Sequence, residues 1–391
     1  MTIAEVLDVF YDLFGSEGDI GTFFAPARLS LIGQHTDYNG GHCFPCAITL
    51  GIYGAIRLRE DHKIRMFSIN FDDQGIVEDT IYDLKPLVRE NWGSYIKAMI
   101  WVFRENGHPI DCGFDLVVGG DIPFGAALAS SAALESLGGV MLRDMYGLED
   151  VTNVDIAKMG QTAESDYIGY YSGIMDHFAC MMGIEDRAIY FDAKTMRYEY
   201  PPFKLGDAKL VIVYSQIEHV PDRNMHAARR AECARALKRL KQNVHINYLC
   251  DLSIDKFETF KDILMDDLLV KRTRHVVYEN QRTIQAVSAL RAHNIAKFGK
   301  YMYASHLSLR DDYEVTCEEI DYLVDTAMGI DGVIGSRMIG SGLGGSTVNI
   351  VKESAIPSFM EIISREYKKK TGLAVDFYGA WPAEGARAIL P

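Results

Sequence analysis

No stretch of this 391-residue chain approaches the ~18 consecutive apolar residues that read as a membrane-spanning helix. The longest apolar run, FPCAITLGIYGAI, is interrupted by glycines and reads as buried strand. Positive charge is also scarce. Forty Lys and Arg stand against 54 Asp and Glu, a net charge of −14. That surface repels nucleic acid and anionic lipid, so neither is expected as a partner. It also requires a locally positive cleft if an anionic nucleotide is to bind. The seven cysteines are odd in number and scattered, which suits reduced thiols and a cytoplasmic protein. Cys43 and Cys46 form a C-x-x-C, but with no second ligand pair they read as small buried strand residues. The first residues lack a basic start and a small-residue cleavage site. Ile3, Val6, Leu7, Phe10, Leu13 and Phe14 follow the helical period instead, so an amphipathic first helix is expected.

The common nucleotide signatures are missing too. There is no G-x-x-x-x-G-K-[ST], no protein-kinase set and no G-x-G-x-x-G after a strand. Internal repeats and low-complexity tracts are absent. What remains is ordinary globular material, 48% hydrophobic and 24% charged, enough for two cores. "PPF" at 201–203 marks a break between segments 1–200 and 201–391. Strands are expected at 21–33, 43–58 and 208–215, a strand leading into a loop over 114–123, and a strand pair at 187–200. Helices are expected after residue 128, from 154, and over 224–242 and 270–293. Strands and helices alternate without a regular βαβ repeat, which predicts an α+β fold rather than a doubly wound sheet.

Two stretches carry chemistry. "LIGQHTDYNGG" (31–41) gathers an amide, an imidazole and a carboxylate within four residues, Gln34 to Asp37. A polar turn alone needs no such set. Sugar hydroxyls donate and accept, so a sugar site does need several rigid polar groups. Gly40 and Gly41 are expected to let the backbone turn close to the ligand. "DIPFGAALASSAALE" (121–135) sets Gly125, small residues and two serines at a helix start. Free N–H groups and the positive helix end there can hold a phosphate. A helix start packed against a neighbour has the same pattern. "GSGLGGS" (340–346) is a second glycine-rich turn, which a hairpin would also explain.

With these motifs the chain resembles the galactokinases, of the superfamily that includes homoserine, mevalonate and phosphomevalonate kinases. "ARLSLIGQHTDYNGG" resembles the galactokinase signature, "IPFGAALASSAALE" the superfamily phosphate loop and "GSRMIGSGLGGS" its third motif. "AESDYIGYYSGIMDH" resembles the segment with the catalytic aspartate. "ARRAECARALKRL", "RHVVYENQRTIQAVSAL" and "RDDYEVTCEEIDYLV" extend the likeness along nearly the whole chain. The resemblance implies an N-terminal domain like ribosomal protein S5 and a C-terminal ferredoxin-like domain, with the site between them. It implies transfer of the ATP γ-phosphoryl group to the anomeric hydroxyl of a hexose. Asp176 is then the catalytic carboxylate and Arg28 its cationic neighbour. Gln34, His35, Thr36, Asp37 and His226 bind the sugar. Gly125, Ala126, Ala127, Leu128, Ala129, Ser130 and Ser131 hold the triphosphate, and Ser131 and Glu164 hold Mg²⁺. A monomer or weak homo-oligomer is expected.

The chain also departs from that pattern. Gln34 stands where galactokinases carry glutamate, and His226 where they carry tyrosine. Ala127 replaces glycine, Ala129 serine and His177 glutamine. The first two changes make the sugar pocket less negative, so galacturonate is the alternative to galactose. A non-catalytic, sugar-responsive regulator is a third reading, opposed by the intact Asp176, Arg28, Ser131 and Glu164.

Overall fold

The computed structural model describes residues 1–87, 91–218 and 223–390. The chain opens on helix α1 (Ile3–Phe14). Thr2 and Glu5 close a capping box at its start, each side chain accepting the other's backbone N–H. Its face of Val6, Leu7 and Phe10 is buried against Ala55 and Val117 of the first sheet. Strands β1 (Gly21–Ile32) and β2 (His42–Leu58) form the hairpin that flanks the polar turn. β3 (Lys63–Ser68), β4 (Val77–Thr80), α2 (Gly93–Glu105), β5 (Phe114–Gly120) and α3 (Ser130–Met145) follow. Next come α4 (Asn153–Thr162), α5 (Met175–Met182), β6 (Tyr190–Asp192) and β7 (Arg197–Glu199).

The second half contains β8 (Ala208–Tyr214), α6 (Arg223–Leu240), α7 (Ile254–Phe260), α8 (Asp267–Arg291) and α9 (Ile295–Ser308). It continues with α10 (Glu318–Met328), β9 (Val333–Met338), β10 (Ser346–Lys352), α11 (Ile356–Thr371), β11 (Asp376–Ala380) and β12 (Arg387–Ala388). The first sheet runs β12-β1-β2-β5-β3-β4, with β6 on β2 and β7 on β6. Only its β3–β5 pair is parallel. The second sheet, β11-β8-β10-β9, is antiparallel throughout. Sheet pairing of this kind with helices packed alongside is the expected α+β architecture. The last strand returns to β1, across the 200/201 division read from the sequence.

Two features position the site. Pro26 cannot donate to the ladder, and the β1–β2 register shifts between Pro26 and Arg28. The bulge re-aims the strand at Arg28. Three buried clusters dominate the interior, and one joins the halves. It packs Ala27, Leu29 and Phe44 of the first sheet with Ala126 and Leu128 of the 125–131 loop, and with Ile212 and Val348 of the second sheet. Cys43 and Cys46 are fully buried in β2, and burial raises both thiols, Cys46 to about 12.

Away from the cleft, Asp115 of β5 is buried among Arg57, Arg59 and Arg65, at 2.9, 3.0 and 2.7 Å. Burial alone would raise its pKa, but the three guanidinium groups pull it below the usual value. Removing one partner of such a group strands the others. Asp115→Asn is expected to cost about 3 kcal/mol in urea unfolding at neutral pH. A depressed carboxylate stabilises above its unfolded pKa. The difference between wild type and variant should therefore shrink as pH falls below about 4.

Candidate active site

Arg28 is 3% exposed, yet it sits at the wall of a cleft. Its Nε and Nη2 donate to the two oxygens of Asp176, at 2.6 and 2.7 Å. Nη1 donates to the Ala127 carbonyl at 2.8 Å. One side chain thus ties the carboxylate to the 125–131 loop. Asp176 lies in the first turn of α5, where the helix dipole favours an anion. Burial would raise its pKa, but Arg28 outweighs that and holds it below the usual carboxylate range. The pair is bidentate, the geometry with the strongest orientation.

The polar turn forms the next wall. Asp37 accepts the Met175 N–H at 3.2 Å, and burial raises its pKa. A Cβ at Gly173 would lie 1.6 Å from Asp37 Oδ2, so only glycine admits this approach. His35 has φ +63°, a left-handed conformation that costs a non-glycine residue about 1–2 kcal/mol. Its Nδ1 lies 2.9 Å from the Tyr38 hydroxyl, itself 2.8 Å from that of Tyr313. Burial, then His226 and His275, keep the imidazole well below its usual pKa and therefore neutral. Gln34 Oε1 and His35 Nε2 are buried with no hydrogen-bond partner among the described residues, and both residues line the cleft. Ligand hydroxyls would satisfy them. The His226 ring lies 5.7 Å from that of His35 and 5.4 Å from that of Tyr170, tilted by 45° and 42°.

Thr36 is placed otherwise. Its hydroxyl is fully buried, 2.8 Å from the carbonyls of Gly33 and His42, and it does not line the cleft. The expectation for the paired glycines also needs correction. A Cβ at Gly40 would strike the Tyr248 ring at 2.4 Å, and one at Gly41 would meet Cys250 Sγ at 2.5 Å. They make room for the second half of the chain, not for a ligand.

All seven residues from Gly125 to Ser131 line the cleft. Ala127 and Ala129 have φ +60° and +62°, a strain held by several contacts. Arg28 N–H donates to the Leu128 carbonyl at 3.2 Å, and Ser346 Oγ to the Ala126 carbonyl at 2.8 Å. The Ala127 methyl lodges where a Cβ on Gly340 or Gly345 would sit. Ser130 and Ser131 open α3. Ser131 Oγ donates to Glu164 Oε1 at 2.8 Å, and Ser172 also bonds Glu164. Glu164 lies on a π-helical turn, 163–168, a form frequent at functional sites. Glu164 also belongs to a cluster with Glu135 and His177, the one group of potential metal ligands among the described residues. Glu135 and His177 are turned on each other at 2.6 Å, and burial pushes the Glu135 carboxyl up to about 8.

The structure therefore brings together every site residue named from the sequence except Thr36. Sequence reasoning missed Tyr38, Tyr170, Ser172 and Gly173 of the lining. Gly173 alone carried a signal, three residues before Asp176 in "SGIMDH". It also missed a second hollow beside Ser130 and Ser131, walled by Ile52, Phe71, Trp92, Tyr95 and Phe124.

Comparison with known proteins agrees with this geometry. Residues 8–58 match the galactokinase galactose-binding signature. Residues 94–184 match the GHMP kinases N terminal domain and 286–369 the GHMP kinases C terminal domain. The chain is 44% identical to the galactokinase of Clostridium acetobutylicum over 390 residues, all of both chains. It is 41% identical to that of Bacillus subtilis over 385 residues, 98% of each. The crystal structure of Lactococcus lactis galactokinase complexed with galactose superposes with a TM-score of 0.96 at 40% identity, covering 99% of this chain and all of that one. Mevalonate kinase of Methanococcus jannaschii, at 18% identity and a TM-score of 0.63, covering 94% of this chain and all of that one, shares the fold. With full-length relatives above 40% identity and the signature lying on the cleft's own turn, the chain belongs to the galactokinase family of GHMP kinases.

Proposed function

We propose that Asp176 and Arg28 carry the transfer of the ATP γ-phosphoryl group to the anomeric hydroxyl of galactose. One observation supports this most strongly. The bidentate Arg28–Asp176 pair stands where the polar turn and the 125–131 loop meet, so acceptor and donor sites converge on it. Phosphoryl transfer has a loose transition state, and catalysis rests on alignment and charge stabilisation. Asp176 is ionised and a weak base. It orients the sugar hydroxyl from the start, then takes its proton as the new O–P bond forms and the hydroxyl becomes acidic. The bond to the β-phosphate oxygen breaks and ADP leaves. Arg28 offers positive charge beside the transferring group.

The α3 N-terminus and the loop N–H groups receive the phosphates. Glu164 is buried, its described partners are hydroxyls, and it has no described ion pair. An acidic group of this kind beside a polyphosphate suits a hard cation, so Glu164 and Ser131 are the residues to hold Mg²⁺. Mg²⁺ would supply charge neutralisation across the phosphate oxygens. The aromatic hollow next to Ser130 fits a stacked purine. The division of the chain near residue 201 remains our reading of its two halves.

Galactose is favoured over galacturonate by the galactokinase relatives. Gln34 offers an acceptor to a C6 hydroxyl, and its N–H₂ could equally donate to a carboxylate, so the amide itself does not decide between the two sugars. Three substitutions test these roles. Asp176→Asn should fold and bind nucleotide while kcat falls about 10²–10⁴-fold in a coupled ADP assay. Wild-type turnover in the purified variant would remove Asp176 from catalysis. Ser131→Ala and Glu164→Ala should raise the Mg²⁺ concentration needed for half-maximal rate while sparing galactose affinity. Unchanged Mg²⁺ dependence in both would leave the metal to the phosphates and water.

A further inference from the structure

Behind the polar turn, α8 presents two fully buried side chains four residues apart, His275 and Glu279, on one face. Glu279 Oε1 accepts the Gly33 N–H at 2.9 Å and faces the Gln34 N–H at 3.4 Å. Ser305 Oγ donates to the same oxygen at 2.6 Å, and Arg282 pairs with the other. His275 Nε2 lies 3.1 Å from the Gln34 carbonyl. A carbonyl only accepts, so Nε2 carries the imidazole proton. Asn280, next along the helix, accepts the His42 N–H at 2.8 Å, at the far end of the turn.

We propose that Glu279 and His275 are positioning residues for the sugar. Together they grip three successive backbone groups immediately before His35: the N–H of Gly33, then the N–H and C=O of Gln34. This grip holds His35 in its left-handed conformation. It also fixes the two unpartnered atoms, Gln34 Oε1 and His35 Nε2, at the cleft wall. On the other side of His35, Asn39 Nδ2 donates to the His35 carbonyl at 2.8 Å, so the strained residue is held from both directions.

The chemistry of the grip is specific. Three donors converge on one oxygen of Glu279, which an ionised carboxylate can satisfy. Burial works against that charge, but Arg282, followed by His275, brings the Glu279 pKa down to about 2. Burial likewise lowers His275 to about 4, which leaves it neutral with its single proton on Nε2. Neither side chain lines the cleft, so neither is a catalytic residue. Their effect reaches the ligand only through the backbone of residues 33–35.

The inference rests on the sugar-kinase reading above, and one experiment separates the two. Glu279→Gln keeps size and one acceptor oxygen but loses the charge. His275→Phe removes the donor to Gln34. Each should raise the KM for galactose about tenfold, the worth of one buried hydrogen bond whose partner is left unsatisfied, and leave the KM for ATP within about twofold. Hydrogen exchange over residues 33–36 should quicken in both variants without sugar and slow again under saturating galactose. Folded variants with an unchanged galactose KM and unchanged exchange would overturn the proposal. So would equal rises in both KM values, which would mean a general loss of packing. If the wild type itself does not turn over galactose, the sugar-kinase reading fails. The exchange rates without sugar still decide whether α8 holds the turn.

Discussion

The Arg28–Asp176 pair is the contact on which the rest of the site depends. A guanidinium that is almost fully buried needs a partner, and Asp176 takes two of its donors while Ala127 takes a third. Satisfying that side chain fixes three segments at once: the bulged strand β1, the first turn of α5 and the 125–131 loop. The proposed acceptor and phosphate sites therefore share one anchor. The same pair keeps Asp176 ionised, which suits a carboxylate that orients before it accepts a proton.

Part of the chain's backbone strain lies around that anchor. His35, Ala127 and Ala129 all adopt left-handed backbone conformations. His35 and Ala127 are held by contacts from distant parts of the chain. Ser346 bonds the Ala126 carbonyl, and Gly340 and Gly345 leave space for the Ala127 methyl. Glu279 and His275 bracket the turn before His35. The second half of the chain thus completes a site whose reacting groups come from the first half. The core shared by β1, β2, β8 and β10 makes this bracing rigid.

The strands around residues 31–41 were legible from the sequence, and the resemblance to galactokinases pointed to Arg28, Asp176 and the 125–131 loop, because each motif is written in consecutive residues. Long helices with a clear period, such as α3 and α8, were legible for the same reason. Other features depend on remote partners. The hydroxyl of Thr36 looks like a ligand donor in sequence but is consumed by two carbonyls of its own turn. Gly40 and Gly41 answer to Tyr248 and Cys250, some 200 residues away. Glu279 lies on a helix where a carboxylate reads as a solvated face, and its partners are backbone amides that leave no trace in the side-chain pattern. The departure at Gln34 was visible. That its Oε1 is buried without a partner among the described residues is a feature of the fold, not of the sequence pattern.

A double-mutant cycle on kcat between Arg28 and Asp176 tests the central claim most directly, with Arg28→Gln, Asp176→Asn and the double variant compared as folded proteins. If the two side chains act as one unit, each single substitution costs nearly as much as the pair, about 10²–10⁴-fold in every case. Losses that multiply, so that the double variant falls by the product of the single effects, would contradict the account and show that the two residues act independently.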